Sequence, residues 1–495
     1  MAIEDYFIVA IELGSSKLTG MAGRKMPDGS VQVLATVQED SSSFIRKGMI
    51  FNVDKTAQSL TSVVRKLQDA LQKKIACVYV GIGGQGLHTV KNSVMRQLEA
   101  EMVISQEQID AILDSNLNTS FSDRIILDVV PQEYKVGTQK LLDPVGVLSD
   151  RIEGRFLNVI ARSAIHNNLT KCFAQAGISV VEYILSPMVL ADSVLTDAEK
   201  RSGCVLVDMG ADTTTVSVFK NNLLRHLAVI PLGSSNVTKD LTSLQIEEDE
   251  AEALKLEYGS AYMEASDMEE NKSYTLRDGR TLSQKELCDI TEARIEEILV
   301  NVSDQIRRSG FDKGTLLAGI VLTGGGANMH NIERAVSIYT GFDKIKVMKN
   351  VLFTVDDSSA SVELKDGRKN TILGLLAGGT VNCNAGDLCP AEPEVTEEEE
   401  NAQPQQGGAA ASVSTSRMNE LTQRQLELKE AEEKARQEEA ERKAREEEER
   451  RINEEKARKR EEKRRRKEEW KKNNVFTRCV QKMKNIANSL VNEDE

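Results

Sequence analysis

Phe7-Ile8-Val9-Ala10-Ile11-Glu12-Leu13-Gly14-Ser15-Ser16-Lys17 reads as a short apolar run, residues 7–13, that stops at a polar glycine turn. Runs of this length bounded by turn residues are buried strands. A second apolar run, Leu18 to Ala22, follows at once, and Pro27-Asp28-Gly29 marks the next turn. The unit is a hairpin whose tip is rich in backbone N–H groups. The same unit returns at Cys204-Val205-Leu206-Val207-Asp208, followed by Met209-Gly210-Ala211-Asp212 and a run from Thr213 to Phe219. A third strand, Ala318 to Leu322, delivers Thr323-Gly324-Gly325-Gly326-Ala327. This duplication predicts two related α/β halves around a cleft, where loops at strand ends meet a ligand. Between the hairpins, Leu60, Val63, Val64, Leu67 and Leu71 recur at helical spacing within 54–73, and Ile75 to Ile82 reads as another strand.

The chain has 495 residues and is 40% hydrophobic, which supports about two to four units of ~100–200 residues. Apolar residues are ordinary up to about residue 390 and nearly vanish between Glu392 and Trp470. A net charge of −14 argues against a general nucleic-acid binder. Cys77, Cys172, Cys204, Cys288, Cys383, Cys389 and Cys479 are scattered and odd in number, as expected of reduced thiols in a cytosolic protein. Met1-Ala2-Ile3-Glu4-Asp5 is acidic where a secretion signal is basic. No apolar run approaches the ~20 residues that span a bilayer. The expectation is a protein that is soluble, or that lies on a membrane without crossing it.

A glycine turn at a strand end exposes backbone N–H groups that cradle phosphate oxygens without side-chain charge. Gly14, Ser15 and Ser16 form one such loop, with Lys17 adding a point charge. Gly210, Ala211, Asp212, Thr213 and Thr214 form the facing one, and Gly233 is placed with them. Asp208, at the end of its strand, is positioned to hold Mg²⁺, through water because that ion sheds its shell reluctantly. Gly324, Gly325, Gly326 and Ala327 bring bare backbone against a purine. One such turn is commonly structural; three in this order and strand context point to nucleotide. His88, His166, His226 and His330 make no metal-ligand spacing, and no Ser/His/Asp or Cys/His arrangement stands out.

The order of these three loops resembles the actin, Hsp70 and sugar-kinase superfamily, and within it the bacterial cell-division family FtsA. Residues 85–164 interrupt the first half with Val130-Pro131-Gln132-Glu133-Tyr134 and Asp143-Pro144-Val145-Gly146, which look like signatures of that family's inserted subdomain. Ala251-Glu252-Ala253-Leu254-Lys255, with Tyr258-Gly259, is similar to its helix beside the adenosine. By that likeness Glu252 and Lys255 approach the ribose or base. The resemblance covers about residues 5–385 and implies an actin-like two-lobed ATPase fold of the α/β class with an FtsA-type insertion. Its expected parts are a first lobe at 1–84 and 165–195, the insertion at 85–164, and a second lobe with its outer subdomain at 196–390. ATP and Mg²⁺ are the implied cofactors. Two departures imply slow turnover at best: Asp212 puts a carboxylate near a terminal phosphate, and Ser186-Pro187 stands where the chaperones have Glu-Pro.

Past residue 391 the composition changes. Residues 391–416 are acidic, then small and polar, and read as a flexible linker. Residues 417–472 are mostly Glu, Lys, Arg, Ala and Gln, with Glu four positions before Lys or Arg at Glu430/Lys434, Glu438/Arg442 and Glu441/Arg445. Each such pair adds ~0.2–0.5 kcal/mol to a helix. Met418, Leu421, Leu428, Ala431 and Ala435 trace a short seam that then dissolves, so a solitary charged helix is expected over a coiled coil. Within 473–492, Val475, Phe476, Cys479, Val480, Met483, Ile486, Ala487, Leu490 and Val491 form one apolar stripe, with Trp470 at its start. From Lys456 to Lys484 there are 14 basic and 4 acidic residues. That is the pattern of a helix lying in an anionic membrane interface, with Trp470, Val475, Phe476, Val480, Met483, Ile486 and Leu490 as its lipid contacts.

The resemblance implies a scaffold that polymerises at the cytoplasmic face of the inner membrane at the division site. Its implied partners are copies of itself, anionic lipid, other division proteins and the C-terminal peptide of FtsZ, docking around residues 234–320. A sugar-kinase-type enzyme uses the same fold but gives no reason for the tail. A soluble actin-like platform of a pilus or secretion assembly needs neither the insertion's signatures nor a lipid-binding helix.

Overall fold

β1 (Ile8–Leu13) buries Ile8, Val9, Ala10 and Ile11 completely, because its sheet is covered on both faces. The computed structural model describes residues 6–264, 272–356 and 365–384. From β1 the chain turns back as β2 (Lys17–Lys25) and β3 (Val31–Asp40), makes a small hairpin of β4 (Ile45–Arg46) and β5 (Met49–Ile50), and enters α1 (Val53–Leu71). The Asn52 side chain caps α1 by accepting from the Lys55 amide at 3.0 Å, and Gln72 ends it in the left-handed region. Leu60, Val63, Val64 and Leu67 are buried, as their spacing predicts. α1 lies so close to β2 that a Cβ on Gly20 would meet Val63 Cγ1 at 2.5 Å.

After β6 (Cys77–Ile82) the chain leaves this lobe. β7 (His88–Val103), α2 (Gln106–Leu117), β8 (Arg124–Val136), β9 (Gln139–Leu141) and β10 (Leu148–Arg162) form an antiparallel sheet under one helix. This insertion has its own core of Ile109, Ile112, Ile126, Tyr134, Ile152 and Phe156. Asn116 and Asn158, both fully buried, satisfy each other through reciprocal amide bonds of 2.7 and 3.1 Å. The chain returns through α3 (Ser163–Ala176), β11 (Ser179–Leu185) and α4 (Ser186–Val194), and α5 (Asp197–Ser202) carries it across.

The second lobe repeats the first. β12 (Cys204–Met209), β13 (Thr214–Lys220) and β14 (Leu223–Ile230) form an antiparallel meander. They are followed by α6 (Ser235–Thr242), α7 (Glu248–Tyr258), the hairpin β15 (Ser273–Thr275) and β16 (Thr281–Ser283), and α8 (Gln284–Ser309). β17 (Gly319–Thr323), α9 (Ile332–Thr340) and β18 (Ile345–Val347) complete it. The order β18-β17-β12-β13-β14 matches β11-β6-β1-β2-β3, and in each the two outer strands on one side run parallel to the first strand. β12 alternates: Val205 and Val207 pack toward α8, while Cys204 and Leu206 join the first lobe's core.

Two features depart from the reading of the sequence. The second lobe was expected to run to residue 390, yet β19 (Val355–Asp356) pairs with β3, and α10 (Asn370–Gly378) packs in the first lobe. α10 buries Ile372, Leu373, Leu375 and Leu376, an apolar surface too wide for one contact, so it lies against β1, β2, β6 and α4 at once. The insertion, covalently part of the first half, is hydrogen-bonded to the second: Ala228 of β14 pairs with His88 of β7. Thr89 Oγ1 extends that seam, accepting from the Leu227 amide at 2.9 Å and donating to the Leu227 carbonyl at 3.3 Å. Arg225 donates to Gln132 at 2.8 Å beside it. Thr89→Val orphans the Leu227 amide and is expected to cost about 1–3 kcal/mol. Urea unfolding together with amide exchange at Leu227 checks this, and an unchanged exchange rate there would refute it.

Among the described residues no helix is long and apolar enough to cross a membrane. Cys172, Cys204, Cys288 and Cys383 are buried free thiols, and Cys77 is buried as well. The expected linker, charged spacer and amphipathic helix, with Trp470, Val475, Phe476, Val480, Met483, Ile486 and Leu490, lie outside the described residues.

Candidate functional site

The two glycine hairpins are superposable in their bonding. At the β1–β2 tip the Gly14 amide donates to the Lys17 carbonyl at 3.1 Å, and at the β12–β13 tip the Gly210 amide donates to the Thr213 carbonyl at 2.8 Å. Any Cβ on these glycines would lie 2.8 Å and 2.9 Å from the same carbonyl oxygens, so both tips require a bare backbone. The equivalence extends into the strands. Glu12 stands opposite Thr19 as Asp208 stands opposite Thr215, one carboxylate at the matching place in each lobe.

Those carboxylates define the electrostatics of the cleft. Burial pushes the Glu12 carboxyl up to about 8, and the nearby Asp208 charge adds to the effect. Burial likewise raises Asp208 to about 6. Two recessed carboxylates whose ionised forms are disfavoured by burial suit a cation beside them. Glu12 was not among the residues singled out from the sequence. Its signal was there, as the one charged side chain inside an apolar strand.

The second lobe gathers the residues predicted for it. Gly324 (φ 86°) lies against Asp208 and the Met209 carbonyl, and begins a short 3₁₀ turn, Gly325–Asn328, that contains Gly326 and buried Ala327. Gly325 faces the Arg368 side chain, and Gly326 fits between Met209 and Ser234. Gly233 packs on the carbonyls of Gly210 and Ala211, whose oxygens accept from the Ser234 amide at 3.0 Å and the Ser235 amide at 2.8 Å. Thr214 is buried, and its hydroxyl donates to the Leu232 carbonyl at 2.9 Å. On α7, Lys255 is a buried cation that donates to Glu252 at 2.6 Å, Thr238 at 3.0 Å and the Ser234 carbonyl at 3.3 Å. Two of its three N–H bonds tie α7 to α6 and the third stays within α7, where Glu252, also accepting from Thr238 at 2.5 Å, faces the same cluster.

The first lobe contributes Ser15, whose hydroxyl accepts from the Gly48 amide at 2.8 Å, and buried Ser41, whose hydroxyl donates to the Gly14 carbonyl at 2.7 Å. The Ser16 carbonyl accepts from the Ser41 amide at 3.2 Å, while Lys17 is exposed at the start of β2. Asp212 does not project free into the cleft. Its Oδ2 accepts from the Lys47 amide of the first lobe at 3.2 Å, and Oδ1 lies 3.4 Å from Lys239 Nζ. Ser41 and the Lys47-Gly48 turn were likewise missed, since neither carries a charge pattern or glycine run of its own. Among the described residues no cluster of three or more His, Cys, Asp or Glu side chains forms a metal site.

Two lobes built on one duplicated strand order, with a hairpin tip from each turned to a shared cleft, define an actin-like α/β protein. Known proteins agree. The family model described as Cell division protein FtsA matches residues 205–359, and that of the SHS2 domain inserted in FTSA matches residues 84–160. Cell division protein FtsA of Porphyromonas gingivalis is 33% identical over 342 residues, covering 67% of this chain and 70% of the relative. That of Neisseria meningitidis serogroup B is 32% identical over 339 residues, covering 67% and 81%. Among solved structures, one from a PilM-PilN type IV pilus biogenesis complex shares the fold, with a TM-score of 0.52 at 14% identity, over 75% of this chain and 97% of that one. The chain belongs to the FtsA family of cell-division proteins.

Proposed function

We propose that the chain is an ATP-binding scaffold that polymerises at the cytoplasmic membrane surface and tethers FtsZ filaments there at the division site. The observation that carries this reading is the pair of equivalent hairpins, each with a recessed carboxylate, in a chain of a cell-division family. Gly14, Ser15, Ser16, Lys17, Gly210, Ala211, Thr213 and Thr214 would hold the phosphates with backbone N–H groups and hydroxyls. Glu12 and Asp208 would hold Mg²⁺ through its waters, and the ion's charge would offset the burial that raises both carboxyls and the Asp208 charge that adds to it at Glu12. Gly324, Gly325, Gly326 and Ala327 leave room for a flat base, and Gly233 keeps α6 close behind the second loop. Glu252 lies near enough to that loop's cluster to meet a sugar hydroxyl. Lys255 supports it from behind, because its donors are already engaged. Nucleotide bound between the hairpins would fix the angle of the lobes and so the geometry of a filament.

Residues 391–416 and 417–472 would act as linker and spacer, and 473–492 as the membrane anchor. Half a dozen apolar side chains at ~1.5–3 kcal/mol each when fully buried, with basic neighbours adding ~1 kcal/mol apiece near an anionic surface, suffice for stable attachment. The test is sedimentation with anionic liposomes in MgATP, comparing the full chain, a truncation before Asn473, and Phe476→Glu. The full chain is expected to pellet and both variants to lose most of that binding. If all three stay in the supernatant, the tail serves a protein partner, and a soluble actin-like platform is the better reading.

A further inference from the structure

One two-residue turn touches both hairpins and the start of the insertion. Lys47 (φ 52°) and Gly48 (φ 69°), between β4 and β5, are both left-handed, the backbone of a tight hairpin loop that normally takes Asn-Gly. Their successive amides diverge. Gly48 N–H donates to Ser15 Oγ in the first lobe at 2.8 Å, and Lys47 N–H donates to Asp212 Oδ2 in the second at 3.2 Å. The Lys47 carbonyl accepts from the Gln85 amide at 2.8 Å. Gly48 and Gly84 are in backbone contact, since a Cβ on Gly48 would come within 2.5 Å of Gly84 Cα. Gln85 and Gly84 are the residues through which β6 passes into the insertion. Asp212 is only 15% exposed, although its second partner, Lys239, is largely in solvent.

An anion supplied by the chain itself therefore occupies one backbone donor, the Lys47 amide, beside the two glycine hairpins. We propose that Asp212 is an internal stand-in for phosphate: it straps the Lys47-Gly48 turn across the lobes in the nucleotide-free protein. A nucleotide phosphate competes for the Lys47 amide and releases the turn, and the change passes to the insertion through the Lys47 carbonyl and Gln85. The release step rests on the nucleotide reading above; the strap does not. The physical basis is that one N–H serves one strong acceptor well, and that a carboxylate and a phosphate repel at close range. Asp212 is thus a positioning residue that opposes binding, and its removal favours the ligand.

The experiment uses the full chain, with Asp212→Asn, Asp212→Ala and Lys239→Ala, and follows amide hydrogen exchange in residues 44–50 and 83–88 together with the affinity for a fluorescent ATP analogue in Mg²⁺. Without nucleotide, Asp212→Ala is expected to exchange about tenfold faster in both segments, because local opening sets the rate, and Asp212→Asn, whose amide oxygen can still accept from Lys47 but without charge, by a smaller factor. Lys239→Ala leaves the Lys47 amide bond in place and is expected to exchange as the wild type does. Both Asp212 variants are expected to bind the analogue about tenfold more tightly. Wild-type protein saturated with MgATP is expected to show the faster exchange at 83–88 that the variants show empty. Unchanged exchange at 83–88 in both Asp212 variants would overturn the strap. Weaker binding of the analogue by those variants would overturn the competition, and make Asp212 a helper of the bound metal or phosphate. If wild-type protein binds no nucleotide, the nucleotide reading and the release step fall together, and the nucleotide-free exchange rates alone decide the strap.

Discussion

Glu12→Gln is expected to stabilise the metal-free chain at pH 8 by roughly 2–4 kcal/mol, at one pKa unit per 1.4 kcal/mol and discounted for the solvent that reaches the cleft. The sign follows from the direction of the shift. Glu12 is raised from 4.5 to about 8 by burial and then by the Asp208 charge, so the fold favours its protonated form. That contribution is whole below about pH 4.5 and is lost as pH rises through about 8. Asp208, raised from 3.8 to about 6, adds a smaller loss over a lower window. Wild-type stability should therefore decline between pH 5 and pH 8, and the Glu12→Gln variant should lose much less. Urea midpoints at pH 5.5 and 8, with and without Mg²⁺ and nucleotide, measure the difference. The same substitution should weaken MgATP binding, since the carboxylate that burdens the empty cleft is the one that would hold the cation. Parallel pH profiles for wild type and Glu12→Gln would show that burial does not hold the Glu12 carboxyl above its usual range.

Gly324→Val should be the most damaging single substitution in the second lobe's loops, costing about 3 kcal/mol or more through backbone strain and overpacking together. At φ 86° and ψ 171° the residue occupies a region open essentially to glycine alone. Its Cβ would also stand 2.5 Å from Asp208 Oδ1 and 2.7 Å from the Met209 carbonyl. Gly29→Val is the uncrowded positive-φ control, because Gly29 has φ 84° and nothing within 4 Å of its Cβ. That control should cost only about 1–2 kcal/mol, the backbone share. Equal urea midpoints for the two variants would mean that the loop yields, and that the contact with Asp208 is not rigid.

The duplicated hairpins were legible because each strand is a run of apolar residues ending at glycine, a local pattern that needs no partner to be seen. α1 was legible for the same reason, and the observed Val53–Leu71 nearly matches the expected 54–73. What was not legible depends on contacts between distant residues. Nothing local in Asn370–Gly378 says which lobe its apolar surface joins, and the boundary was drawn too late. The pairing of β7 with β14 rests on one residue pair and a threonine hydroxyl, which no periodicity announces. In the cleft, the glycine turns themselves were legible, but the partners of Asp212 and Lys255 are set by tertiary packing. Asp212 looked like a free charge facing a phosphate, and it is tied to the Lys47 amide. Lys255 looked available to a ligand, and it is spent on three neighbours.

The late return of α10 sets an order of assembly on the ribosome. Cys383 donates its amide to the Phe7 carbonyl at 2.8 Å and takes the Ala76 amide on its own carbonyl at 2.8 Å, so β1 is closed by residues made some 375 positions after it. The first lobe draws its sheet from 8–82, 179–185 and 355–356, with α10 sealing one face. The sheet of the second lobe proper comes from one stretch, 204–347. At roughly 5–20 residues per second, the apolar face of β1 waits on the order of tens of seconds for its cover. The half written first in the chain is the half finished last, and a nascent chain stalled before residue 370 would present that face to chaperones.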